Sequence, residues 1–364
     1  MTSATSEREP GAGRARVRAA DVASAAGVSI STVSLVVNDK WEGRVAVETV
    51  ARVRAEVDRL GYVVDESARR LATGGAAAVA VVTPAFTNPF YARVSLGAAA
   101  ALGGAFQVVF SVPEVGDDPM ATLERLRGLR LAGALVAAPS PELLQVLARD
   151  LPTVVLDAPG SVAGRPRVDL DVADGAAQLA RHLVGLGHQR VAFLRATPET
   201  ETFRVRHAAL ATHLASGGAS LVDVDRLVSD VDAGAAHAAA LASMPALVAA
   251  GVTAVVCATD LHAYGFLRAC AERGIAVPSD MSVAGFDDQP LSAYVSPPLT
   301  TVAFPADQLG REAGRMLAEL IARGVDADST ASTRGAPDGG RPALAARVLP
   351  VALVVRGSTG AASR

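Results

Sequence analysis

The chain has 364 residues, of which 50% are hydrophobic and 4% aromatic, and its formal net charge is −3. This length predicts two or three domains built from packed Ala-, Val- and Leu-rich layers. No apolar run reaches the roughly 18 residues of a membrane span, and "MTSATSEREPGAGRARVR" lacks the apolar stretch of a signal peptide. The two cysteines, Cys257 and Cys270, lie in apolar segments and do not suggest a disulfide scaffold. We therefore expect a cytoplasmic protein with no membrane partner.

The first part of the chain is predicted to be helical. Residues 1–13 are polar and aperiodic and indicate a disordered tail, whereas residues 14–62 have helical apolar spacing. This spacing predicts one helix over Arg18 to Ala26, a second helix capped by Ser29, and a third over Val47 to Leu60.

A glycine turn joins the first two predicted helices. Gly27 stands where a left-handed residue is least costly, and the small side chains of Ala23 and Ala26 allow close helix crossing. Two short helices joined in this way and braced by a third form a helix-turn-helix. Lys and Arg also outnumber Asp and Glu between Arg14 and Ala72. The pattern favours binding in a DNA major groove, and a three-helix protein-interaction bundle remains the alternative.

The rest of the chain alternates between strand-length and helix-length patterns. Apolar runs such as "AVAVV", "TVVLD", "TAVVCAT" and "MSVAGFDD" are separated by amphipathic stretches such as "FYARVSLGAAAAL" and "LHAYGFLRACAERG". Repeated βαβ units over about 280 residues predict doubly wound parallel sheets in two lobes. Residues 326–346 read as a flexible insertion before one last strand in "RVLPVALVVRG".

Ordered motifs along the chain closely resemble one protein family. "DVASAAGVSISTVSLVVND", "ARRLATG", "TNPFYA", "RHLVGLGHQRVAFL" and "SVAGFDDQPLSAYVSPPLTTV" are similar to the LacI/GalR family of transcriptional repressors, over about residues 17 to 358. The resemblance implies an all-α headpiece, a hinge over 63–75, and a two-lobed α/β core like periplasmic binding proteins over 76–358, which also dimerises. It implies a repressor that binds a near-palindromic double-stranded DNA operator as a homodimer under control of a small effector, with a carbohydrate expected. No leucine-heptad segment follows "VVRGSTGAASR", so we expect a dimer and not a tetramer.

The resemblance assigns residues to DNA contact. Ile30 and Ser31 would approach base edges, with Leu35 one turn further on; leucine cannot donate to guanine but packs against a thymine methyl. Contacts that hold phosphates and fix the register are expected from Ser29, Thr32, Ser34 and Asn38, with Arg18 as a further phosphate contact. Arg18 and Ala46 stand where the family usually has hydroxyl caps. Because losing a cap costs about 1 kcal/mol, we predict a less stable headpiece.

The segment "SARRLATGG" resembles the family's hinge. It is too short to be a stable helix alone and is expected to order only when two copies pack together on DNA. Leu71 would then open a minor-groove step as an apolar wedge, and Arg69 would meet the DNA backbone. Without the resemblance, the segment reads as a plain linker.

Polar residues that follow the predicted strands mark a ligand site between the lobes. The candidate effector residues are Asn88, Phe90, Tyr91, Asp157, Arg206, Thr259, Asp260 and Asp287. Carboxylates and an arginine suit vicinal hydroxyls, and an aromatic ring covers an apolar sugar face. Capping a helix is the alternative role for Asn88 and the favoured role for Asp260. Thr259 replaces an asparagine that is frequent in the family, which leaves open another carbohydrate, a nucleoside or no ligand.

The sequence gives little support for catalysis. His182 and His188 are six residues apart, a spacing that does not suit a metal pair. The Asp287-Asp288 pair has no phosphate-cradling glycine loop, and no G-x-S-x-G elbow occurs. We expect no enzyme activity, cofactor or metal. The competing hypotheses are a sugar-binding transport protein and a ligand-independent architectural protein.

Overall fold

The structure is a computed structural model that forms two compact units, Met1–Gly75 and Ala76–Arg364. The residues it describes are 17–37, 39–62, 78–84, 88–111, 121, 124, 129, 131–140, 142–143, 151–160, 165–197, 199–330 and 346–363. The predicted tail over residues 1–13 and the predicted hinge over 63–75 lie outside these ranges.

The first unit contains the three predicted helices. They are α1 (Ala19–Ala26), α2 (Ile30–Val37) and α3 (Val47–Leu60). Val22, Val33, Val36, Val50 and Val53 form a buried core that all three helices share. Gly27 and Gly61 end α1 and α3 in the left-handed conformation, as the glycine positions predict.

The second unit contains two sheets wound in the same order. The strands are β1 (Ala78–Val82), β2 (Gln107–Ser111), β3 (Gly133–Ala137), β4 (Thr153–Leu156), β5 (Arg167–Leu170), β6 (Arg190–Thr197), β7 (Ser220–Val222), β8 (Val228–Asp230), β9 (Ala254–Cys257), β10 (Ser282–Asp287), β11 (Thr300–Ala303), β12 (Arg347–Leu349) and β13 (Ala352–Val354). One sheet has the order β12-β5-β4-β3-β1-β2 and the other β13-β11-β10-β9-β6-β7, with β8 paired to β6. In each sheet the first strand lies between the second and third, so each has a switch point where ligands bind at the carboxyl ends.

Six α-helices of this unit have bounds within the described residues. They are α4 (Pro89–Leu102), α5 (Val172–Gly185), α6 (Glu201–Ser216), α7 (Ala233–Ala249), α8 (Asp260–Arg273) and α9 (Ala306–Thr330). We call the first sheet with α4 and α9 the N-terminal lobe, and the second sheet with α5 to α8 the C-terminal lobe. The chain crosses between them after β5, after β11 and after β12. Both lobes therefore contain the doubly wound sheets that the βαβ pattern predicts.

Two expectations about the end of the chain are wrong. The apolar stretch "RVLPVALVVRG" forms two strands, because β12 pairs with β5 in one lobe and β13 pairs antiparallel with β11 in the other. Pro350 lies between them and cannot donate a ladder hydrogen bond. Residues 326–330 of the predicted insertion belong to α9, which continues to Thr330, and residues 331–345 lie outside the described ranges.

Helices α4 and α9 cross at unusually short range. A Cβ on Gly97 would lie 2.1 Å from the Asp307 carbonyl oxygen, and one on Gly310 would lie 1.8 Å from the Val94 carbonyl oxygen. Only glycine fits at both positions, so this contact fixes the start of α4 within the N-terminal lobe.

Within the described ranges, no single helix is both long and apolar enough to cross a membrane. Helices α1 and α2 pass that test of length and composition only when taken together, and they are bent by 103° to one another.

Candidate nucleic-acid interface and ligand site

The headpiece has the geometry of a helix-turn-helix. The 103° bend between α1 and α2 lies within the range of this motif, and α3 packs against both helices. Ser29 caps α2 as predicted, because its Oγ accepts a hydrogen bond from the Thr32 backbone N–H at 3.1 Å. The Ser31 and Thr32 hydroxyls lie 2.7 and 2.9 Å from the same Oγ. This network orders the beginning of the second helix.

The side chains expected to read DNA lie on the outer side of α2. Ile30 is 56% exposed although it is apolar, and Ser31 and Ser34 are also exposed. Leu35 is half-buried one turn later. A solvent-exposed isoleucine at the start of a helix offers apolar surface that a binding partner can cover. Asn38, Arg69 and Leu71 lie outside the described residues, and their roles stay predictions.

The two helix starts with unusual residues lack side-chain caps. Arg18 precedes α1 and Ala46 precedes α3, and neither side chain makes a cap hydrogen bond. At α1 the Arg18 backbone N–H donates to Asp21 Oδ2 at 2.7 Å, which supplies one half of a capping box. The start of α3 has no such compensation from its cap residue.

In the second unit, three predicted ligand residues form one buried cluster. Asp157 follows β4 in the N-terminal lobe, whereas Asp287 ends β10 and Arg206 lies on α6 in the C-terminal lobe. Arg206 Nη2 is 3.9 Å from Asp157 Oδ2, and Nη1 is 3.7 Å from Asp287 Oδ1. None of the three residues is more than 3% exposed. We call these residues the Arg206 cluster; its ion pairs join both lobes.

Aromatic rings surround the Arg206 guanidinium. Its central carbon lies 4.7 Å from the ring centroid of Phe304, 5.1 Å from that of Phe203 and 5.2 Å from that of Phe286. Phe90 packs edge-on against Phe304 and against Tyr91. The aromatic walls exclude water, so the polar groups inside interact strongly with each other and with any ligand.

The Arg206 cluster keeps polar atoms without partners. Among the described residues, Asp157 Oδ1 and Arg206 Nε of this cluster are buried and have no hydrogen-bond partner, and the same holds for the Thr83 and Thr200 hydroxyls. Thr83 directly follows β1, so it lies at the carboxyl edge of that sheet. Buried polar atoms without partners are costly, and a cluster of them indicates a site for a polar ligand.

Burial dominates the electrostatics of the two carboxyl groups. It raises the pKa of Asp157 to about 6, against the opposing effects of Arg206 and Thr202. It also raises the pKa of Asp287, which Asp157 and Asp260 raise further while Arg206 lowers it. Asp157 and Asp287 both have positive φ, 51° and 113°, an uncommon backbone for residues other than glycine. Such strain is concentrated at functional sites.

Thr259 caps α8 and is oriented by a buried histidine. Its Oγ1 lies 2.8 Å from His262 Nδ1, while His262 Nε2 lies 3.4 Å from the Ser229 carbonyl oxygen. Because a carbonyl only accepts, Nε2 carries the proton and Nδ1 accepts from the Thr259 hydroxyl. The Thr259 oxygen is then left as an acceptor. Burial lowers the pKa of His262 to about 4, which keeps the ring neutral.

Asp260 has a different structural role from the helix cap that was favoured from the sequence. The cap is Thr259, and Asp260 is the first residue of α8. Its Oδ1 accepts from the Thr301 hydroxyl at 2.6 Å, and its Oδ2 accepts from the Ser292 hydroxyl at 2.5 Å and the Gln289 backbone N–H at 2.9 Å. Asp260 therefore ties α8 to β11 and to the loop after β10, and its role as an effector contact stays a prediction.

Asn88 does cap a helix. Its Oδ1 accepts from the Phe90 backbone N–H at 2.9 Å at the start of α4, and also from Gln289 Nε2 at 2.9 Å. Phe90 and Tyr91 lie in the first turn of α4 and are buried, at 5% and 8% exposure. Tyr91 lies near both carboxyl groups of the Arg206 cluster, and burial raises the pKa of its hydroxyl.

Several residues around the site were not predicted from the sequence. They are Thr83, Thr202, Phe203, His262, Gln289 and Phe304. The rule that ligands bind beyond the carboxyl ends of strands would have found Thr83, since it directly follows "AVAVV". Phe304 also directly follows a strand, β11, but no strand was predicted there from the sequence.

Comparisons with known proteins agree with this geometry. The model "Bacterial regulatory proteins, lacI family" matches residues 19–65, and "Periplasmic binding protein-like domain" matches residues 180–359. The chain is 32% identical to the HTH-type transcriptional regulator MalR of Streptomyces coelicolor, over 95% of this chain and 97% of that protein.

Solved structures give the same fold. A lac repressor dimer bound to operator and the anti-inducer ONPF superposes with a TM-score of 0.72 at 26% identity, covering 95% of this chain and all of that one. A complex of the transcriptional regulator CelR with cellobiose superposes with a TM-score of 0.64 at 27% identity, covering 94% of this chain and all of that one.

These findings define the class of the protein as a transcriptional regulator with a DNA-binding headpiece and a ligand-binding core. The chain belongs to the LacI family, as its sequence motifs indicate.

Proposed function

We propose that this protein is a repressor that binds a near-palindromic operator as a homodimer and is controlled by a small polyhydroxylated effector. The observation that carries the DNA-binding part is the bent helix pair with Ile30 and Ser31 exposed at the start of α2. Two headpieces are needed because one offers too few contacts for a tight, specific site. The lac repressor relative is a dimer on its operator. A repressor of chromosomal genes acts in the cytoplasm and needs no enzyme activity.

The Arg206 cluster supports a polar effector. A guanidinium and two carboxylates donate to and accept from hydroxyl groups, while Phe203 and Phe304 provide apolar surface. The cellobiose complex of CelR supports a carbohydrate. The alternatives are a nucleoside effector and regulation without a ligand.

The charge of the Arg206 cluster narrows the effector. One guanidinium faces two carboxyl groups, so the cluster is net negative when both carboxyl groups are ionised and neutral when burial keeps one of them protonated. Burial makes an additional anion costly in this environment. We therefore expect a neutral sugar, and not a phosphorylated one, to occupy the site.

The DNA-binding proposal is tested by selecting duplexes from a random library with the full-length protein. We expect one enriched motif with two related half-sites. The variant Leu35→Gln gains a side chain that can bond a base edge, and it should select a motif changed at one position of each half-site. Failure of the wild type to enrich any motif would overturn the proposal.

The effector proposal is tested by calorimetry with cellobiose, D-ribose, their phosphorylated forms and adenosine. We expect heat of binding from a neutral sugar that disappears in Arg206→Met. The exposed variant Arg204→Ala, two residues away, is the matched control and should bind as the wild type does. Binding of only phosphorylated compounds would contradict the charge argument, and binding of adenosine alone would favour the nucleoside alternative.

A further inference from the structure

Gln289 is a buried amide that contacts both lobes. It follows the second aspartate of "FDDQP" after β10 and is only 4% exposed. Its Nε2 donates to Asn88 Oδ1 of the N-terminal lobe at 2.9 Å and to Asp287 Oδ2 of the C-terminal lobe at 3.4 Å. The Gln289 side chain therefore hydrogen-bonds one candidate effector-binding residue in each lobe.

The direction of these hydrogen bonds is fixed by their neighbours. Asn88 Oδ1 already accepts from the Phe90 backbone N–H, so this atom is the oxygen of the amide. Only a donor can then approach it from Gln289. Asp287 offers carboxylate oxygens, which also accept. Both contacts therefore require the NH₂ group of Gln289.

The backbone of Gln289 is anchored separately from its side chain. Its N–H donates to Asp260 Oδ2, and Asp260 also accepts from Ser292 and Thr301. A continuous chain of hydrogen bonds runs from the start of α8, through Asp260 and Gln289, to Asn88 at the start of α4. The side chain can be changed while the loop stays anchored through its backbone.

We propose that Gln289 is a positioning residue that holds the two lobes together and couples the Arg206 cluster to the first turn of α4. An effector that binds Asp287 would weaken or strengthen the hydrogen bond from Gln289 to Asp287, and would thereby change the hydrogen bond from Gln289 to Asn88. Only this effect of an effector rests on the proposed function. The link between the lobes can be tested without an operator or an effector.

The directed hydrogen bond predicts unequal effects for two substitutions of nearly identical size. Asn88→Asp keeps an acceptor for both the Phe90 N–H and Gln289, so the link survives. Gln289→Glu removes the donor and turns a carboxylate towards Asn88 Oδ1 and Asp287, so the link is lost. If Gln289 served only to fill space, the two variants would behave alike.

The experiment measures the distance between spin labels on the two lobes of the full-length protein by pulsed electron resonance. Leu96→Cys on α4 and Val248→Cys on α7 place the labels at positions that are 69% and 61% exposed. Cys257 and Cys270 are buried, and unsubstituted protein must take up no label. Dilution with unlabelled protein isolates distances within one chain.

We expect one narrow distance distribution in the doubly labelled protein and in its Asn88→Asp form. The Gln289→Glu and Asn88→Ala forms should add a second population at a different distance. Ser243→Ala is the control, because Ser243 is buried and donates to the Asp225 carbonyl oxygen within the C-terminal lobe, outside the network of Asp260 and Gln289. If Gln289→Glu does not fold, Gln289→Ala removes the amide without adding charge. Unchanged distributions in the Gln289 variant that folds, or equal changes in Asn88→Asp, would overturn the proposal.

Discussion

The headpiece and the Arg206 cluster use polar side chains in opposite ways. The serines of α2 are exposed on a small core of valines and alanines, and their hydrogen bonds to one another are local. The polar groups of the Arg206 cluster are almost completely buried and connect segments far apart in the chain. Exposed groups can be exchanged with little effect on stability, whereas buried charges depend on their partners.

Because of this difference, we expect that substitutions can change DNA specificity in the headpiece without changing its stability, whereas substitutions in the Arg206 cluster cannot change ligand specificity alone. If Ile30, Ser31 and Leu35 read the DNA as we propose, they can vary and change the sequence that is bound, while the buried Val33 and Val36 keep the fold. The proposed ligand site has less freedom, because Arg206 compensates two buried carboxyl groups in addition to its proposed role in binding the effector. Changes there should alter ligand binding and stability together.

The largest expected effect comes from Arg206→Ala. This variant leaves Asp157 and Asp287 buried without their cation, so it should lower the free energy of unfolding by about 3 kcal/mol or more at pH 7. The loss should be smaller at pH 5, where the carboxyl groups take up protons more easily. Urea unfolding at the two pH values measures both quantities.

The matched control is Arg204→Ala, which removes an exposed ion pair with Glu201 on the same helix. It should leave the unfolding transition unchanged. Equal destabilisation by the two variants would show that the Arg206 cluster is not the source of the effect.

An intermediate effect is expected from acidification through His262. Its pKa is lowered to about 4 in the folded state, so the unfolded state binds more protons between about pH 6.5 and pH 4. Stability is therefore retained above this window and falls as the pH falls through it. The contribution from His262 between pH 7 and pH 5 is about 2 kcal/mol.

The variant His262→Gln should lose this contribution to the slope of stability against pH. His213→Gln, at an exposed position on α6, is the control and should keep the wild-type slope. Denaturant titrations at pH 7, 6 and 5 compare the three proteins. A wild-type slope in His262→Gln would contradict the neutral, buried ring.

The smallest expected effect concerns the uncapped start of α3. Ala46→Ser supplies a side-chain acceptor there and should stabilise the headpiece by about 1 kcal/mol. Ala51→Ser places the same change in the exposed interior of α3, where serine is the weaker helix former, and should not stabilise it. Thermal melting of the headpiece transition in the full-length protein distinguishes the two; equal shifts would exclude capping as the cause.

Most of the architecture could be predicted because each element has a local pattern. The stripe of Val50, Val53 and Val57 predicted α3, Gly27 predicted the turn, and short apolar runs predicted the main parallel strands. The meeting of Asp157, Arg206 and Asp287 could be expected because two of them follow strands and the third matched a family motif. Their convergence follows from the carboxyl ends of the two sheets facing one site.

What could not be predicted depends on contacts distant in sequence. The donor at Gln289 gains its role from Asn88, 201 positions earlier in the chain. Asp260 looked like a cap because it begins a helix, and only the folded chain brings Thr301 and Ser292 to its carboxylate. The last apolar stretch looked like one strand, since no local signal shows that its two halves belong to different lobes.

The most direct test measures the affinity of the full-length protein for its selected operator with and without a saturating neutral sugar that binds by calorimetry. We expect the dissociation constant to change by at least about 5-fold in the wild type, the lower end of typical allosteric coupling, and not at all in Arg206→Met. A wild-type dissociation constant that stays the same while the sugar occupies the site would contradict control of the headpiece by the core.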